Sequence, residues 1–123
     1  MTELKPKIIV VDDEPAIGEL LTRFLAKKNY EVASFTSGKE ALEHLKTNDV
    51  NLLLTDMNMP EMNGIELIRA TKGLQPNLPI LLMTGTPDAE MMNELIKYTI
   101  SDYITKPFEL DSLEKVIASR LQL

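Results

Sequence analysis

Ile8-Ile9-Val10-Val11-Asp12-Asp13 is the stretch on which the fold turns. Four apolar residues run directly into two acids, and the same figure returns three times. Leu52-Leu53-Leu54-Thr55 runs into Asp56, Ile80-Leu81-Leu82-Met83 into Thr84, and Tyr103-Ile104-Thr105 into Lys106-Pro107. Short continuous apolar runs are the mark of strands covered on both faces of a parallel sheet. In open α/β sheets, ligands sit outside the carboxyl ends of the strands. The reading therefore puts three carboxylates, one hydroxyl and one amine along a single edge. That set suits a divalent metal and a phosphoryl group.

Between these runs the period changes from strand to helix. Residues 7–11 read as a first strand, and Pro15 to Lys28 carries Ile17, Leu20, Leu21, Phe24 and Leu25 at helical spacing. A second strand covers 31–35. Ser37 then caps a helix through Lys46 that faces Ala41, Leu42 and Leu45 inward. Residues 51–55 make a third strand, Pro60 to Gly64 a loop, and a short helix starts at Ile65 and ends near Gly73. Pro79 opens a fourth strand over 80–83, and Thr86-Pro87-Asp88 starts a helix that runs to about Lys97. A fifth strand spans 102–105, and the closing helix carries Leu110, Leu113, Val116, Ile117 and Leu121. Alternation of this kind predicts an α/β fold: a doubly wound, five-stranded parallel sheet with five helices and right-handed crossovers. The common order for five strands is 2-1-3-4-5, which makes strands 1 and 3 neighbours at the switch point. Asp12-Asp13 and Asp56 then lie side by side, flanked by Thr84 and Lys106.

Composition bounds the function. A length of 123 residues fits one domain, read as 1–123, with 44% hydrophobic and 26% charged residues. No apolar stretch is long enough for a membrane span, and no signal-peptide pattern opens the chain, so a cytoplasmic location is expected. The absence of cysteine excludes disulfides, thiol catalysis and thiolate metal sites. A net charge of −6 argues against direct nucleic-acid binding.

The strand-end set has its own chemistry. Three crowded carboxylates repel, which raises some of their pKa values unless a cation offsets the charge. Mg²⁺ is a natural solution, since it takes a few carboxylates together with waters and a phosphate oxygen. Asp56 is then poised as a nucleophile, because carboxylates can form aspartyl phosphates. Lys106 offers a compact positive charge and Thr84 a hydroxyl donor for phosphate oxygens. Nothing in the set serves as a general base for water, which favours a phosphoryl group that persists.

Taken in order, these residues resemble the receiver domain of bacterial two-component response regulators. Asp12-Asp13 matches that family's acidic pair, and Asp56-Met57-Asn58-Met59-Pro60-Glu61-Met62-Asn63-Gly64 its phospho-acceptor loop. Thr84 matches its hydroxyl site and Tyr103-Ile104-Thr105-Lys106-Pro107-Phe108 its final motif, so the resemblance covers essentially the whole chain. The resemblance implies a flavodoxin-like fold and a phosphorylation-dependent signalling switch. Asp56 is expected to take a phosphoryl group from a sensor histidine kinase or phosphotransfer protein. The chain would catalyse only its own phosphorylation and dephosphorylation. Asp13 and Asp56 would ligate Mg²⁺ directly, Asp12 would help, often through water, and the Asn58 backbone carbonyl would be a further ligand. Thr84 and Lys106 would bind phosphoryl oxygens, and Lys106-Pro107 would be a cis peptide. Tyr103 would be the switch aromatic, turning inward as the Thr84 hydroxyl moves toward phosphate. The surface of the fourth helix, fifth strand and fifth helix would then change to control an output domain or effector, and a homodimer through that surface is a family option. A shift from mostly inactive to mostly active takes roughly 5 kcal/mol. Two or three charge-assisted contacts of about 1.5–3 kcal/mol each are of that order.

Two other functions compete. A phosphatase of the haloacid dehalogenase type also uses an Asp nucleophile and Mg²⁺, but it needs an acid two residues on, where this chain has Asn58. A phosphate-independent interaction module would not need the intact acidic set. Single residues also have plainer readings: Asp12-Asp13 alone is a solvated turn, Lys106 alone a surface charge, Tyr103 alone half-buried packing. His44 is expected on the solvated face of its helix. One of Met91 and Met92 is expected in the core and the other partly exposed. Gly85 after Thr84 leaves access to phosphate open. The family's small-residue turn before the fifth strand is replaced by Tyr98-Thr99-Ile100-Ser101-Asp102.

Overall fold

In the computed structural model, which describes residues 5–98, 100 and 102–121, strands and helices alternate without exception. The strands are β1 (Lys7–Val11), β2 (Glu31–Phe35), β3 (Leu52–Asp56), β4 (Ile80–Thr84) and β5 (Asp102–Thr105). The helices are α1 (Pro15–Lys27), α2 (Gly38–Thr47), α3 (Gly64–Leu74), α4 (Ala89–Lys97) and α5 (Leu110–Leu121). The strands form one parallel sheet in the order β2-β1-β3-β4-β5, as the sequence predicts.

Successive side chains of a strand point to opposite faces, and here both faces are apolar. Ile9, Val11, Leu53, Ile80 and Leu82 join a core with Ala41, Leu67, Ile68, Met91 and Leu95, under α2, α3 and α4. Ile8, Val10, Leu52, Leu54, Leu81 and Met83 join Leu21, Leu25, Leu113 and Ile117, under α1 and α5. Burying one such aliphatic side chain contributes about 1.5–3 kcal/mol relative to leaving it in water. This two-sided burial is why β1, β3 and β4 show no alternation in sequence. Among the described residues, no helix is long and apolar enough to cross a membrane.

Several boundaries move. β3 spans 52–56 and β4 spans 80–84, so Asp56 and Thr84 are the last strand residues. α3 runs through Gly73 to Leu74, because that glycine is exposed in open space and costs the helix only propensity. Ser37 caps α2 as expected, accepting from the Glu40 N–H at 3.4 Å. Asp88 caps α4, accepting from the Met91 N–H at 2.8 Å. His44 corrects the expectation of a solvated ring: it is half-buried, 5.2 Å from the Phe35 ring. The β2 edge is short of apolar cover, and the imidazole supplies some. Met91 is buried and Met92 half-buried, as expected. In the turn before β5, Ile100 is buried and its N–H donates to Leu95 O at 2.8 Å. Thr99 and Ser101 of that turn, and Gln122 and Leu123 at the end, lie outside the described residues.

Candidate functional site

The carboxyl ends of β1 and β3 meet because those strands are paired, Val11 opposite Thr55. Asp12 carries the β1–β2 ladder one residue further, its N–H donating to Phe35 O at 3.0 Å. Its Oδ1 accepts from the Glu14 N–H at 2.9 Å, which fixes the side chain before α1 begins. Asp56 is opposite Met83 on β4, and the Met57 N–H continues that ladder to Met83 O at 2.9 Å. Carboxylate oxygens of Asp12, Asp13 and Asp56 all lie within 4.8 Å of one another. Asp12 is 0% exposed and Asp56 5%. Asp13, the more open of the three, has no ion pair or side-chain hydrogen bond among the described residues.

Lys106 is the cation of this edge. The Lys106-Pro107 bond is cis, as expected, and the Lys106 N–H donates to Thr84 O at 2.7 Å, which ties β5 to the end of β4. Its Nζ lies 2.9 Å from Asp12 Oδ2 and 3.3 Å from Asp56 Oδ2. One ammonium therefore touches two carboxylates of a cluster of three. Burial pushes the Asp56 carboxyl above its ordinary range, the Asp12 charge adds to the rise, and Lys106 opposes it only in part. For Lys106 burial works against the charge, but the hydrogen bond to Asp12 and the two neighbouring carboxylates outweigh it, so its pKa is raised. The cluster is short of positive charge, and its donors are hard oxygens. A divalent cation such as Mg²⁺ fits that set.

Gly64 was legible only as part of a pattern, and the structure gives its reason. Its N–H donates to Met57 O at 2.8 Å, and a Cβ there would lie 2.6 Å from Asp56 O and 2.9 Å from Met57 Cα. Only glycine lets α3 start this close to the backbone of Asp56. The loop between is held from both sides. Asn63 and Glu66 form a reciprocal capping box at α3, with bonds of 2.9 and 3.0 Å. Met62 covers Gly38 at the start of α2, and Lys39 pairs with Glu61 at 3.6 Å. Asn58 sits exposed in this loop.

Thr84 reaches the same edge but its hydroxyl is engaged locally, accepting from the Thr86 N–H at 3.3 Å. It is 1% exposed, while Gly85 beside it stands in open space. Tyr103 is half-buried against the core beneath α2, α3 and α4. The structure thus brings Asp12, Asp13, Asp56 and Lys106 into one cluster, with Thr84 at its border, and keeps Tyr103 apart from it on β5. The sequence reading missed Asp102. Its Oδ1 accepts from the Tyr103 N–H at 2.9 Å and its Oδ2 pairs with Arg120 at 2.9 Å, joining the start of β5 to the last turn of α5. No motif announces that pair, since its residues are far apart in the chain.

Known proteins resemble this chain in sequence and in fold. The family described as response regulator receiver domain matches residues 8–118. The transcriptional regulatory protein ZraR of Escherichia coli is 35% identical over 121 residues, 98% of this chain and 27% of that one. The transcriptional regulatory protein CrdR of Helicobacter pylori is 36% identical over 112 residues, 90% of this chain and 53% of that one. The chain therefore spans about a quarter to a half of these relatives. A CheY-like receiver domain protein from Methanospirillum hungatei superposes with a TM-score of 0.93 at 28% identity, over 97% of this chain and 95% of that one.

Proposed function

The chain belongs to the response regulator receiver domain family, a family of two-component signalling switches, and from that premise we propose that it is switched by phosphorylation of Asp56. The observation that carries the reading is the buried Asp56 carboxylate, held with two further acids inside 4.8 Å and with Lys106 Nζ at 3.3 Å. The phosphoryl donor is a phosphohistidine of a sensor histidine kinase or phosphotransfer protein. An Asp56 carboxylate oxygen forms the new bond to phosphorus as the phosphorus–nitrogen bond breaks. The electron pair goes to the imidazole, which takes a proton from water. Catalysis of such a step is mostly positioning and charge neutralisation.

Each residue has a part in that step. Asp13 and Asp56 would hold Mg²⁺, Asp13 because its carboxylate is otherwise unengaged among the described residues, and the Asn58 carbonyl would be a further ligand. Asp12 has one oxygen on the Glu14 N–H and the other on Lys106, which suits help through water. When bound, the metal neutralises charge that would otherwise repel an incoming phosphoryl group. Lys106 is within reach of Asp56 and would follow the phosphoryl oxygens. The Thr84 hydroxyl would exchange its bond with the Thr86 N–H for one to phosphate. That movement would open space for Tyr103, whose inward turn would alter the α4–β5–α5 surface read by an output domain, an effector or a second copy of the chain. We read residues 1–123 as a single receiver domain that works in the cytoplasm. Asn58, where a phosphatase of the haloacid dehalogenase type needs an acid, speaks for a switch that acts only on its own phosphoryl group.

Incubation with acetyl phosphate and Mg²⁺ followed by intact mass tests this reading. The native chain should gain one phosphoryl group, and Asp56→Ala should gain none. No gain on the native chain, or the same gain on the variant, would end the proposal.

A further inference from the structure

Between α3 and α4 lies a cavity of about 300 Å³ that the phosphoryl chemistry does not use. Its apolar lining comes from Met57, Ile65 and Met91. The polar lining is one-sided in charge. Glu66 and Asp88 line it while capping their own helices, and Glu90 and Glu94 line it with no such task. None of these four carboxylates makes an ion pair among the described residues. The one cation of the lining among the described residues is Arg69: its Nε donates to Tyr98 Oη at 2.7 Å, its guanidinium lies 5.8 Å from that ring, and the nearby charges of Glu94 and Glu66 help hold it protonated, so one cation is left to answer four carboxylates. Glu94 Oε2 is buried and has no hydrogen-bond partner among the described residues. A buried acceptor left unmet loses its hydration without return, so a donor from outside would relieve it.

We infer that this cavity is a docking site for a partner protein's segment that carries a basic side chain beside an apolar one. The apolar stem of a lysine or arginine, or a neighbouring aliphatic residue, would lie on Met57, Ile65 and Met91. The cationic head would meet the exposed Glu90, and Glu94 once its buried Oε2 turns toward the incoming charge. Methionine lining suits such a site because its side chain adapts to different shapes. The site stands on the cavity and its charge, and it does not depend on phosphoryl transfer. Its position gives it reach: Met57 directly follows Asp56, and the loop from Thr84 leads into Asp88.

The test is a titration of the ¹⁵N-labelled chain with a short peptide of alternating lysine and leucine, followed by amide shifts. Saturable shifts should centre on Ile65, Arg69, Met91 and Glu94, and a peptide with glutamate in place of lysine should give none there. The double variant Glu90→Gln/Glu94→Gln should bind about tenfold more weakly, the scale of two lost charge pairs. The double variant Glu19→Gln/Glu43→Gln has the same net charge and should bind as the native chain does. Equal weakening by both doubles would mean binding to overall charge and would overturn the site. Shifts centred elsewhere, such as at Leu20 on α1, would overturn it too. Shifts that grow with protein concentration before peptide is added would assign the cavity to a second copy of the chain and equally overturn it.

Discussion

At Asp56 a single carboxyl group sets the terms of the site. Its pKa is raised, first by burial and then by Asp12, so the folded state holds the proton more tightly than the unfolded chain does. Stability on this account is greatest below the unfolded carboxylate range and falls as pH rises through the raised folded value. At neutral pH the ionised group therefore weighs against the fold. Asp56→Asn should raise stability at pH 7 by on the order of 1 kcal/mol, the scale of relieving one buried like-charge contact. It should also flatten the fall in stability between acid and neutral pH. Urea unfolding of both chains across that range measures the difference, and parallel curves would remove the charge argument. Gly64 and Gly73 make a second comparison at this scale. Alanine at 64 would press its Cβ on the Asp56 and Met57 backbone, at a cost of about 1–3 kcal/mol. Alanine at 73 meets nothing within 4 Å in an exposed part of α3 and should add about 0.5–1 kcal/mol. Denaturation midpoints of the two variants should move in opposite directions.

Elements show which parts of this molecule a sequence can announce. Buried strands, helical stripes and the Ser37 and Asp88 starts were legible because local sequence specifies them. Strand order was legible only as a preference of such folds. The placement of the acidic pair, Asp56, Thr84 and Lys106 along one edge was legible because each stands at the end of a strand. Links between distant positions were not: Asp102 with Arg120, Arg69 with Tyr98, His44 on Phe35 and the unmet Glu94 oxygen need the folded chain to bring them together. The reciprocal box at α3 lies between these cases, since Asn63 and Glu66 have the spacing but the loop reading stopped at Gly64. That box closes two of the orphan amides at the helix start. Asn63→Ala should therefore cost about 1 kcal/mol. The urea midpoint should fall with an unchanged slope, because the surface exposed on unfolding stays the same. An unchanged midpoint would show that the loop's other ties, Met62 on Gly38 and Lys39 with Glu61, already hold the end of α3.

Over the whole molecule, charge and fold are coupled through the same edge. The chain carries a net charge of −6, and three of its acids are gathered where two strands are forced side by side. The sheet keeps them there because two apolar cores, one on each face, fix the register of β1 against β3. A cation that binds only this folded arrangement must stabilise the fold as a whole. At a concentration one hundred times its dissociation constant the gain is about 2.7 kcal/mol. For a domain of this length that corresponds to a rise in Tm of roughly 10 °C. Asp13→Asn should abolish most of that rise, since Asp13 is the acid of the cluster with no other partner among the described residues. It should leave the stability without metal unchanged or slightly higher, because one repulsive charge is gone. The contrast separates metal binding from general screening: a monovalent salt at equal ionic strength should move both chains alike. If Mg²⁺ raises the Tm of the native chain and of Asp13→Asn equally, the metal is not held by these carboxylates.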